Sequence, residues 1–337
     1  MIKVAVDAMG GDFAPRSVVD GVVQAVKKYD VFVYLVGQTA RIQEELKVHK
    51  FDPSRIEIIQ ADEIVEMNES PAVAIRKKKN SSISVGIQLL KNGKADAFFC
   101  AGNTGGVVCA ATLFLGLLET VERPGIAIVM PNLKGVSLLV DAGANIDPKP
   151  LHLLQYGIMG SAYFEQILGK KNPTVGLLNV GEEESKGTDF VKETYQMLEQ
   201  SPVNFIGNVE GKDIFSGECD VIVCDGFVGN VTLKVAEALA ETMAHLLRQQ
   251  ILSSVWGRLG YLFARSSLKN FKKKIDYSEY GGAPLLGVDG VVIIGHGRSS
   301  AKAVMNAIRF AKDEVERHIN QDIIERMKKT LVKVSPA

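Results

Sequence analysis

The sequence predicts a three-layer α/β/α fold around a mostly parallel, partly mixed β-sheet. Short β-branched runs alternate along the chain with longer helix-like stretches, and this alternation is typical of βαβ units. Most of the short runs end in glycine and small polar residues, as strands do where a parallel sheet meets a ligand crevice. One pair of runs is separated only by the hairpin-like turn Leu133-Lys134-Gly135, so part of the sheet is expected to be antiparallel.

The individual elements follow in order from this alternation. Apolar runs bounded by glycine predict strands over residues 2–7, 31–37, 56–60, 95–100, 126–130, 136–141, 174–180, 204–207, 221–225 and 291–295. The stretches between them predict helices over residues 17–29, 72–91, 151–168 and 231–252, and a last long helix that begins after Arg298. No low-complexity linker interrupts the chain, so we expect one catalytic domain over residues 1–337, with a size that also allows two lobes.

The composition is that of an ordinary globular protein. Hydrophobic residues make up 46% and charged residues 23% of the 337 residues. Lys plus Arg and Asp plus Glu both number 39, so no net charge argues for nucleic acid as a partner. The four cysteines lack CxxC spacing, the start of the chain does not resemble a signal peptide, and no apolar run is long enough to cross a bilayer. We therefore expect a cytoplasmic protein that contacts membranes only from the side.

The ends of the predicted strands share one chemistry. In chain order they read "VDAMGGD", "LVGQT", "CAGNTGG", "VDAGAN", "NVGEEESKG", "CDGFVGN" and "IGHGRSS". Glycine lets a ligand approach the backbone closely, and the following helix directs its free N–H groups toward that ligand. Each ending alone is an ordinary βα turn, but together on one sheet edge they predict a site for phosphate or another anion. The fingerprints of P-loop, Rossmann, α/β-hydrolase and HExxH zinc sites are absent.

Several longer motifs carry a resemblance to one protein family. They are, in order, "VDAMGGD", "IRKKKNSS", "AGNTGG", "VDAGAN", "LLNVGEEESKG", "FIGNVEG", "DGFVGNVTLK" and "YGGAPLLGV". In this combination, and over nearly the whole chain, the sequence resembles the PlsX family of bacterial phosphate acyltransferases. The acid-rich loop "GEEESKG" lies in a region that varies within that family.

The resemblance implies a homodimer with a fold similar to the isocitrate and isopropylmalate dehydrogenases and the phosphate acetyltransferases. It also implies transfer of a long-chain fatty acyl group from acyl carrier protein to inorganic phosphate. The acyl phosphate would then supply a glycerol-3-phosphate acyltransferase at the start of phospholipid synthesis. Because a thiol with a pKa of about 8.5 leaves readily, we expect direct attack of bound phosphate on the thioester, with no acyl-enzyme and no cofactor.

The glycine turns and nearby polar residues predict the substrate site. The phosphate-binding residues should be Gly10, Gly11, Gly102, Asn103, Thr104 and Gly105. Lys186, in a glycine-bounded loop, is the candidate cation for phosphate or for the developing charge, with a solvated loop lysine as the alternative. Asn145 and Asn230 are candidate donors to the thioester oxygen. Their alternative role is turn capping, and Asn230 would suit the N-cap of a helix that begins at Val231.

His296 and Asp225 complete the predicted catalytic set. His296 lies between two glycines after a strand and could act as a general base or a phosphate donor, or it could be structural. Asp225, like Asp7 and Asp141, ends a strand and could orient a cation or a histidine, or bind Mg²⁺. No spacing of carboxylates requires a metal, so no metal site is predicted. The cysteines are interpreted as small buried apolar residues.

Two basic segments are candidate partner surfaces. Arg76 and Lys78 lie in the basic run 76–79, which could meet the acidic acyl carrier protein or simply face solvent. Because residues 80–82 continue the family motif, part of this run could instead line the substrate crevice. Residues 246–275 are predicted to form a protruding basic amphipathic segment, because no acidic residue occurs from Thr242 to Ile275. Its apolar positions at helical spacing include Leu252, Trp256, Leu259 and Phe263. This composition is typical of a helix that lies on an anionic membrane, and packing against the second subunit is the alternative.

Three other functions are compatible with parts of this pattern. A phosphate acetyltransferase-like enzyme that uses acyl-CoA would share the anion site. An oxidoreductase on the same fold would need a cluster of substrate-binding arginines, which the motifs lack. A non-catalytic fatty-acyl-binding membrane protein would leave the glycine-rich strand ends without a purpose. Formation of acyl phosphate distinguishes the predicted enzyme from the last two.

Overall fold

The computed structural model describes residues 1–254, 256–261, 263–266 and 281–334, the last four by their backbone alone. In this part of the chain, eleven strands form one continuous sheet. The strands are β1 (Ile2–Asp7), β2 (Val31–Gly37), β3 (Ile56–Gln60), β4 (Ala97–Cys100), β5 (Gly125–Pro131), β6 (Val136–Val140), β7 (Thr174–Leu178), β8 (Asn204–Val209), β9 (Val221–Val223), β10 (Ala283–Leu286) and β11 (Val291–Ile294). Across the sheet their order is β3-β2-β1-β4-β11-β10-β5-β6-β9-β7-β8.

Helices cover both faces of this sheet. They are α1 (Arg16–Lys28), α2 (Thr39–Leu46), α3 (Pro71–Lys77), α4 (Ser82–Lys91), α5 (Thr104–Ala110), α6 (Pro150–Tyr163), α7 (Asp189–Glu199), α8 (Asp213–Ser216), α9 (Gly226–Leu252), α10 (Ala301–Glu316) and α11 (Ile319–Val334). In addition, a 3₁₀ turn (Pro53–Arg55) precedes β3, and α5 and α6 continue into π-helical turns (Ala111–Leu115 and Phe164–Leu168).

Alternate side chains of each strand belong to cores on opposite faces of the sheet. In β1, Val4 packs in the core that contains α1 and α10, whereas Ala5 packs in the core that contains α4 and α5. In β6, Leu138 packs toward α6 and α11, whereas Leu139 packs toward α8 and the first part of α9. Each half of the sheet therefore lies between two helical layers, and the predicted α/β/α class is confirmed.

The strands of the two halves run in opposite directions. β1, β2, β3, β4, β11 and β5 are parallel to one another in direction, because β10 pairs antiparallel with both β11 and β5. The predicted hairpin then reverses the chain, so β6 is antiparallel to β5, and β9, β7 and β8 follow β6. The carboxyl ends of β1, β2, β4 and β11 consequently lie at one edge of the sheet, here called the first edge. Those of β6, β7, β8 and β9 lie at the opposite, second edge, so the expectation that all the glycine turns share one edge is wrong.

Three local differences from the predicted elements have simple causes. The predicted helix 72–91 is two helices, because the Ser81 side chain caps α4 and accepts a hydrogen bond from the Ser84 N–H. The helix predicted from Val231 begins earlier, at Gly226, with Asp225 as its N-cap. Strand β10 was not predicted, since it has four residues and contains Pro284.

Helix α9 connects the two edges. It begins beside the end of β9 at the second edge, where the Gly226 N–H donates to the Asn145 carbonyl oxygen. Further along, Glu237 Oε2 lies 3.8 Å from His296 Nε2, in the turn that follows β11 at the first edge. The helix therefore passes across the sheet from one edge to the other.

Candidate active site

Three glycine turns meet at the first edge, after β1, β4 and β11. The Asp12 N–H donates to the Gly297 carbonyl oxygen at 2.7 Å, and the Gly295 N–H donates to the Cys100 carbonyl oxygen at 2.8 Å. These bonds connect the three turns, which we call the turn cluster and which comprise residues 8–12, 101–105 and 295–298. The cluster contains the predicted phosphate-binding residues Gly10, Gly11, Gly102, Asn103, Thr104 and Gly105, as well as His296.

Close backbone approach explains the glycines at two positions of the turn cluster. A Cβ atom on Gly10 would lie 2.6 Å from Asp7 Oδ2 and 2.7 Å from the Gly102 nitrogen, so no side chain fits between β1 and β4. Gly11 has a φ of 106°, which glycine adopts at little cost, and its backbone passes close to the Gly297 carbonyl oxygen. The turns are therefore in direct contact, and their backbone groups are fixed relative to one another.

The side chain of Asn103 supports the turn cluster and does not face a ligand. Its Oδ1 accepts a hydrogen bond from the Gly106 N–H at 2.9 Å, and its Nδ2 donates to the Glu66 carbonyl oxygen at 2.9 Å. The amide is therefore the N-cap of α5, and the predicted phosphate donors in this turn stay its backbone N–H groups and the Thr104 hydroxyl. The first N–H groups of a helix have no acceptor within the helix, so those of Thr104 and Gly105 remain for a ligand. Thr104 is exposed at the same position.

The His296 ring lies at the exposed rim of the turn cluster. Its Nδ1 accepts a hydrogen bond from the Arg298 N–H at 3.1 Å, and from this bond we assign the neutral ring proton to Nε2. Nε2 faces Glu237, and Arg298 forms an ion pair of 3.2 Å with Glu241, one helical turn further along α9. The ring thus has its N–H donor at Nε2, which faces the Glu237 carboxylate, and both the phosphate-donor role and the general-base role of His296 stay predictions.

Asp7 lies beneath the turn cluster, fully enclosed by protein. Its Oδ1 accepts from the Met9 N–H at 2.9 Å, and its Oδ2 accepts from the Cys100 thiol at 2.9 Å. Burial raises the pKa of the Asp7 carboxyl, and the hydrogen bonds oppose that shift. Asp7 therefore supports the turn and does not orient Lys186 or a histidine. The role of Cys100 was missed, because the sequence does not reveal that β4 pairs directly with β1.

Asn145 and Asp141 stabilise a separate turn at the second edge. The Asp141 carboxylate accepts hydrogen bonds from four backbone N–H groups, those of Ile126, Gly143, Ala144 and Asn145. The Asn145 Nδ2 donates to the Pro124 carbonyl oxygen and to the Tyr156 hydroxyl, each at 2.6 Å. Both N–H groups of the Asn145 amide are therefore occupied, and the prediction that it donates to a thioester is wrong.

Asp225 and Asn230 are structural at the start of α9. Asp225 Oδ1 accepts from the Val228 N–H at 2.8 Å, which makes it the N-cap. Asn230 lies within the helix, and its Nδ2 donates to the Ala142 carbonyl oxygen at 3.2 Å. The structure thus corrects the N-cap role given to Asn230, which belongs to Asp225, whereas the catalytic role given to Asp225 stays a prediction.

Lys186 does not belong to the turn cluster. It is exposed in the loop after β7. Strand β7 lies six strands from β4 in the sheet order and runs antiparallel to β4. At a spacing of about 4.8 Å between strands, this separation is about 29 Å along the sheet. The structure therefore does not bring Lys186 and the predicted phosphate cradle together.

The two predicted partner surfaces differ in their accessibility. The Lys78 Nζ donates to the Ile64 carbonyl oxygen and to Glu69 Oε2, both at 2.6 Å, so Lys78 supports the loop beside Asn103 and is not a free surface cation. Arg76 is exposed.

In the segment 246–275, Trp256 is 83% and Phe263 is 89% exposed, and Leu259 is also exposed, whereas Leu252 is half-buried. Residues 255, 262 and 267–275 of that segment lie outside the described part of the chain.

No group of three or more His, Cys, Asp or Glu side chains in the described part is placed to hold a metal ion. Among the helices that the structure describes, none is long and apolar enough to cross a membrane.

Known proteins with similar sequences and folds support one identification. A family described as a fatty acid synthesis protein matches residues 2–322. The phosphate acyltransferase of Dictyoglomus thermophilum is 49% identical over 330 residues, which cover 97% of this chain and 98% of the relative. That of Desulfitobacterium hafniense is 50% identical over 337 residues, which cover 100% of this chain and 99% of the relative.

The fold is also similar to that of solved phosphotransacetylases. The enzyme from Streptococcus pyogenes has a TM-score of 0.65 at 17% identity and covers 94% of each chain. The EutD phosphotransacetylase from Staphylococcus aureus has a TM-score of 0.61 at 17% identity and covers 93% of this chain and 94% of the other. These likenesses establish the fold, and the sequence relatives establish the family. The chain therefore belongs to this fatty acid synthesis protein family of phosphate acyltransferases, the PlsX family that its motifs resemble.

Proposed function

We propose that this phosphate acyltransferase takes a long-chain acyl group from acyl carrier protein and transfers it to inorganic phosphate bound at the turn cluster. The observation that supports this site is the meeting of the β1, β4 and β11 turns at one edge, with the residues Thr104 and His296 exposed there. Backbone N–H groups and a hydroxyl are suitable donors for an anion. The product would be acyl phosphate for a glycerol-3-phosphate acyltransferase.

The proposed reaction is a single displacement at the thioester carbonyl. A phosphate oxygen attacks the carbonyl carbon, a C–O bond forms, the C–S bond breaks, and the carrier thiolate leaves and takes up a proton from water. The turn N–H groups and Thr104 hold the phosphate, and the His296 Nε2–H stabilises the negative charge on the oxygens. Positioning contributes the larger part of such a rate acceleration when the leaving group is a thiol.

The cysteine environments support direct transfer without an acyl-cysteine intermediate. Cys100, Cys219 and Cys224 are buried, and burial raises the pKa of each thiol, that of Cys219 to about 12. Cys109 is half-buried, and burial raises its pKa as well. Because the thiolate is the nucleophilic form, such thiols are poorly suited to attack a thioester.

The acidic carrier protein is proposed to approach along α3 and α5. Arg76 is exposed at the end of α3, and its positive charge acts on Cys109 of α5. Helix α5 begins at Thr104, so this cation lies on the helix pair that borders the turn cluster. A basic side chain at this distance would guide an acidic partner toward the site.

Helix α9 and the segment 246–275 are proposed to provide the homodimer and membrane contacts. One ridge of α9 exposes Val231, Val235, Leu239 and Met243 at successive i, i+4 positions. The exposed Trp256 and Phe263 follow on the basic segment. We propose that the α9 ridge packs against a second copy of the chain, and that the segment rests on an anionic membrane surface.

The activity is tested by incubating the purified protein with palmitoyl-acyl carrier protein and inorganic phosphate. We expect phosphate-dependent formation of palmitoyl phosphate, measured by mass spectrometry, at a higher rate than with palmitoyl-CoA at equal concentration. Absence of acyl phosphate with either donor would refute the reaction. A faster reaction with palmitoyl-CoA would instead support the acetyltransferase-like alternative.

Two variants locate the phosphate site. Thr104→Val removes one exposed donor and is expected to raise the KM for phosphate roughly tenfold, the effect of losing one charge-assisted hydrogen bond. Lys186→Ala is expected to leave this KM within about twofold, because Lys186 lies at the second edge. A large rise of the KM for phosphate in Lys186→Ala, with little change in Thr104→Val, would show that phosphate binds elsewhere than at the turn cluster.

A further inference from the structure

A buried thiol and a buried carboxylate connect two turns of the cluster. The Cys100 Sγ donates to Asp7 Oδ2 at 2.9 Å and accepts a hydrogen bond from the Gly102 N–H at 3.1 Å. The other carboxylate oxygen of Asp7 accepts from the Met9 N–H at 2.9 Å. A continuous chain of hydrogen bonds thus runs from the β4 turn, through Cys100 and Asp7, to the β1 turn.

The same pair lies directly beneath the closest backbone contact of the cluster. A Cβ atom on Gly102 would lie 3.2 Å from Gly10 Cα and 3.3 Å from Cys100 Sγ. Gly10 and Ser82, the first residue of α4, lie close enough to Asp7 to lower the pKa of its carboxyl. The two side chains thus lie where the Gly10 and Gly102 backbones approach each other closely.

The chemistry of the thiol is consistent with this bridging role. Burial raises the pKa of Cys100 well above its ordinary value, and the neighbouring Asp7 adds to that shift. The thiol consequently keeps its proton and can donate it to the carboxylate. A side chain without a donor would leave the Asp7 oxygen without this partner in a site enclosed by protein.

We propose that Asp7 and Cys100 are positioning residues for phosphate binding. They set the spacing between the β1 and β4 turns and thereby the direction in which the backbone N–H groups of these turns point. This inference rests on the proposed function, in which phosphate occupies the turn cluster. Neither side chain contacts the substrate, and their effect is transmitted through the backbone of Gly10 and Gly102. The alternative is that Cys100 merely fills space in the core.

Cys219 provides a matched control for that alternative. It is as fully buried as Cys100, and its thiol donates to the Val221 carbonyl oxygen at 3.2 Å in the other half of the sheet. Cys219→Ala therefore removes the same atom from a similarly packed core, away from the turn cluster. A purely structural effect of losing a buried sulfur would be similar at the two positions.

The experiment compares Cys100→Ala, Cys100→Ser and Cys219→Ala by steady-state kinetics and thermal unfolding of the full chain. We expect Cys100→Ala to raise the KM for phosphate about tenfold, as loss of one well-aimed hydrogen bond does, with a smaller change in the KM for the acyl donor. Serine retains a donor and an acceptor, so Cys100→Ser should recover most of this loss. Cys219→Ala should lower the melting temperature without changing the KM for phosphate.

Several outcomes would overturn the inference. An unchanged KM for phosphate in Cys100→Ala, or an equal rise in Cys219→Ala, would leave Cys100 with a packing role only. If Cys100→Ala does not fold by circular dichroism, Asp7→Asn, which keeps the size of the side chain, takes its place with the same expected rise. Failure of the proposed function is distinguishable, because the wild-type protein would then form no acyl phosphate.

Discussion

Among single residues, Glu314 is a buried carboxyl group whose pKa lies far above its ordinary value. It is 3% exposed on α10, and its Oε1 accepts a hydrogen bond from the Tyr163 hydroxyl of α6 at 3.0 Å. Burial raises the pKa of Glu314 from 4.5 to about 8, and the Tyr163 hydrogen bond only partly opposes this shift. The folded protein thus holds a proton here that the unfolded chain releases above pH 4.5.

This proton makes stability depend on pH with a definite sign. The stabilisation is complete below the unfolded pKa of 4.5 and is lost as pH rises through about 8. Between these values the group lowers the free energy of unfolding by up to about 1.4 kcal/mol per pH unit. We expect Glu314→Gln, which retains the acceptor for Tyr163, to flatten the fall in melting temperature between pH 6 and pH 9.

The matched control for this prediction is Glu316→Gln on the same helix. Its carboxylate is about half exposed and pairs with Lys312, so its removal should leave the wild-type pH dependence in place. Melting curves at several pH values measure the effect. Equal slopes for Glu314→Gln and the wild type would contradict the proposed protonation of Glu314.

At the residue scale, the sequence predicted the turn cluster better than the polar side chains around it. Gly10, Gly102 and His296 were placed correctly at strand ends, because local glycine patterns report where strands end. The prediction that the Asn145 amide donates to a thioester was wrong, since that amide binds the carbonyl group of Pro124, and the contact of the Asn103 amide with Glu66 was not foreseen. A sequence does not reveal which distant carbonyl groups the fold brings to an amide.

At the scale of elements, α9 has two ridges with different surroundings. Glu237 and Glu241 face the turn that carries His296 and Arg298. The ridge with Leu239 lies on the other side, about 200° around the helix from Glu237, and is exposed. An apolar ridge that faces away from its own domain is the expected surface for a second subunit.

We expect Leu239→Glu to weaken dimer formation at least tenfold, because it places a charge in an apolar interface. Leu239 is 59% exposed in one chain, so the substitution should leave the monomer folded. Sedimentation velocity over a range of concentrations measures the dissociation constant. Val48→Glu, at a 79% exposed position away from α9, is the control. If both variants sediment like the wild type, the ridge is not the dimer contact.

At the scale of the whole molecule, the reversal of strand direction places the predicted site residues at two opposite edges of the sheet. The class of fold followed from the alternation of strands and helices, and the β5–β6 hairpin followed from its turn. The direction of the strands in each half could not be predicted from the sequence, because it depends on β10. This strand pairs with β11 through Ala283 and with β5 through Leu285. Strand pairing over such distances has no local signature, so Lys186 and Asn230 were assigned to the wrong edge.

The proposed membrane contact also belongs to the scale of the whole molecule. We expect Trp256→Glu and Leu259→Glu to release the protein from vesicles that contain an anionic lipid, because each places a charge on the apolar side of the basic segment. Their acyl transfer in solution should remain close to that of the wild type. Leu133→Glu, 89% exposed in the β5–β6 turn, controls for the added charge. Unchanged sedimentation of the Trp256 and Leu259 variants with vesicles would contradict the contact.

The position of β11 has a consequence for protein synthesis. This strand lies beside β4, although residues 101–290 separate the two in the chain, and α10 packs on α1 from the beginning of the sequence. The half-sheet that begins with the first strand therefore becomes complete only after residues 291–294 have been synthesised. The residues that bind phosphate in our proposal therefore come together only after β11 has been synthesised. A nascent chain that ends before β11 lacks one of the three turns of the cluster.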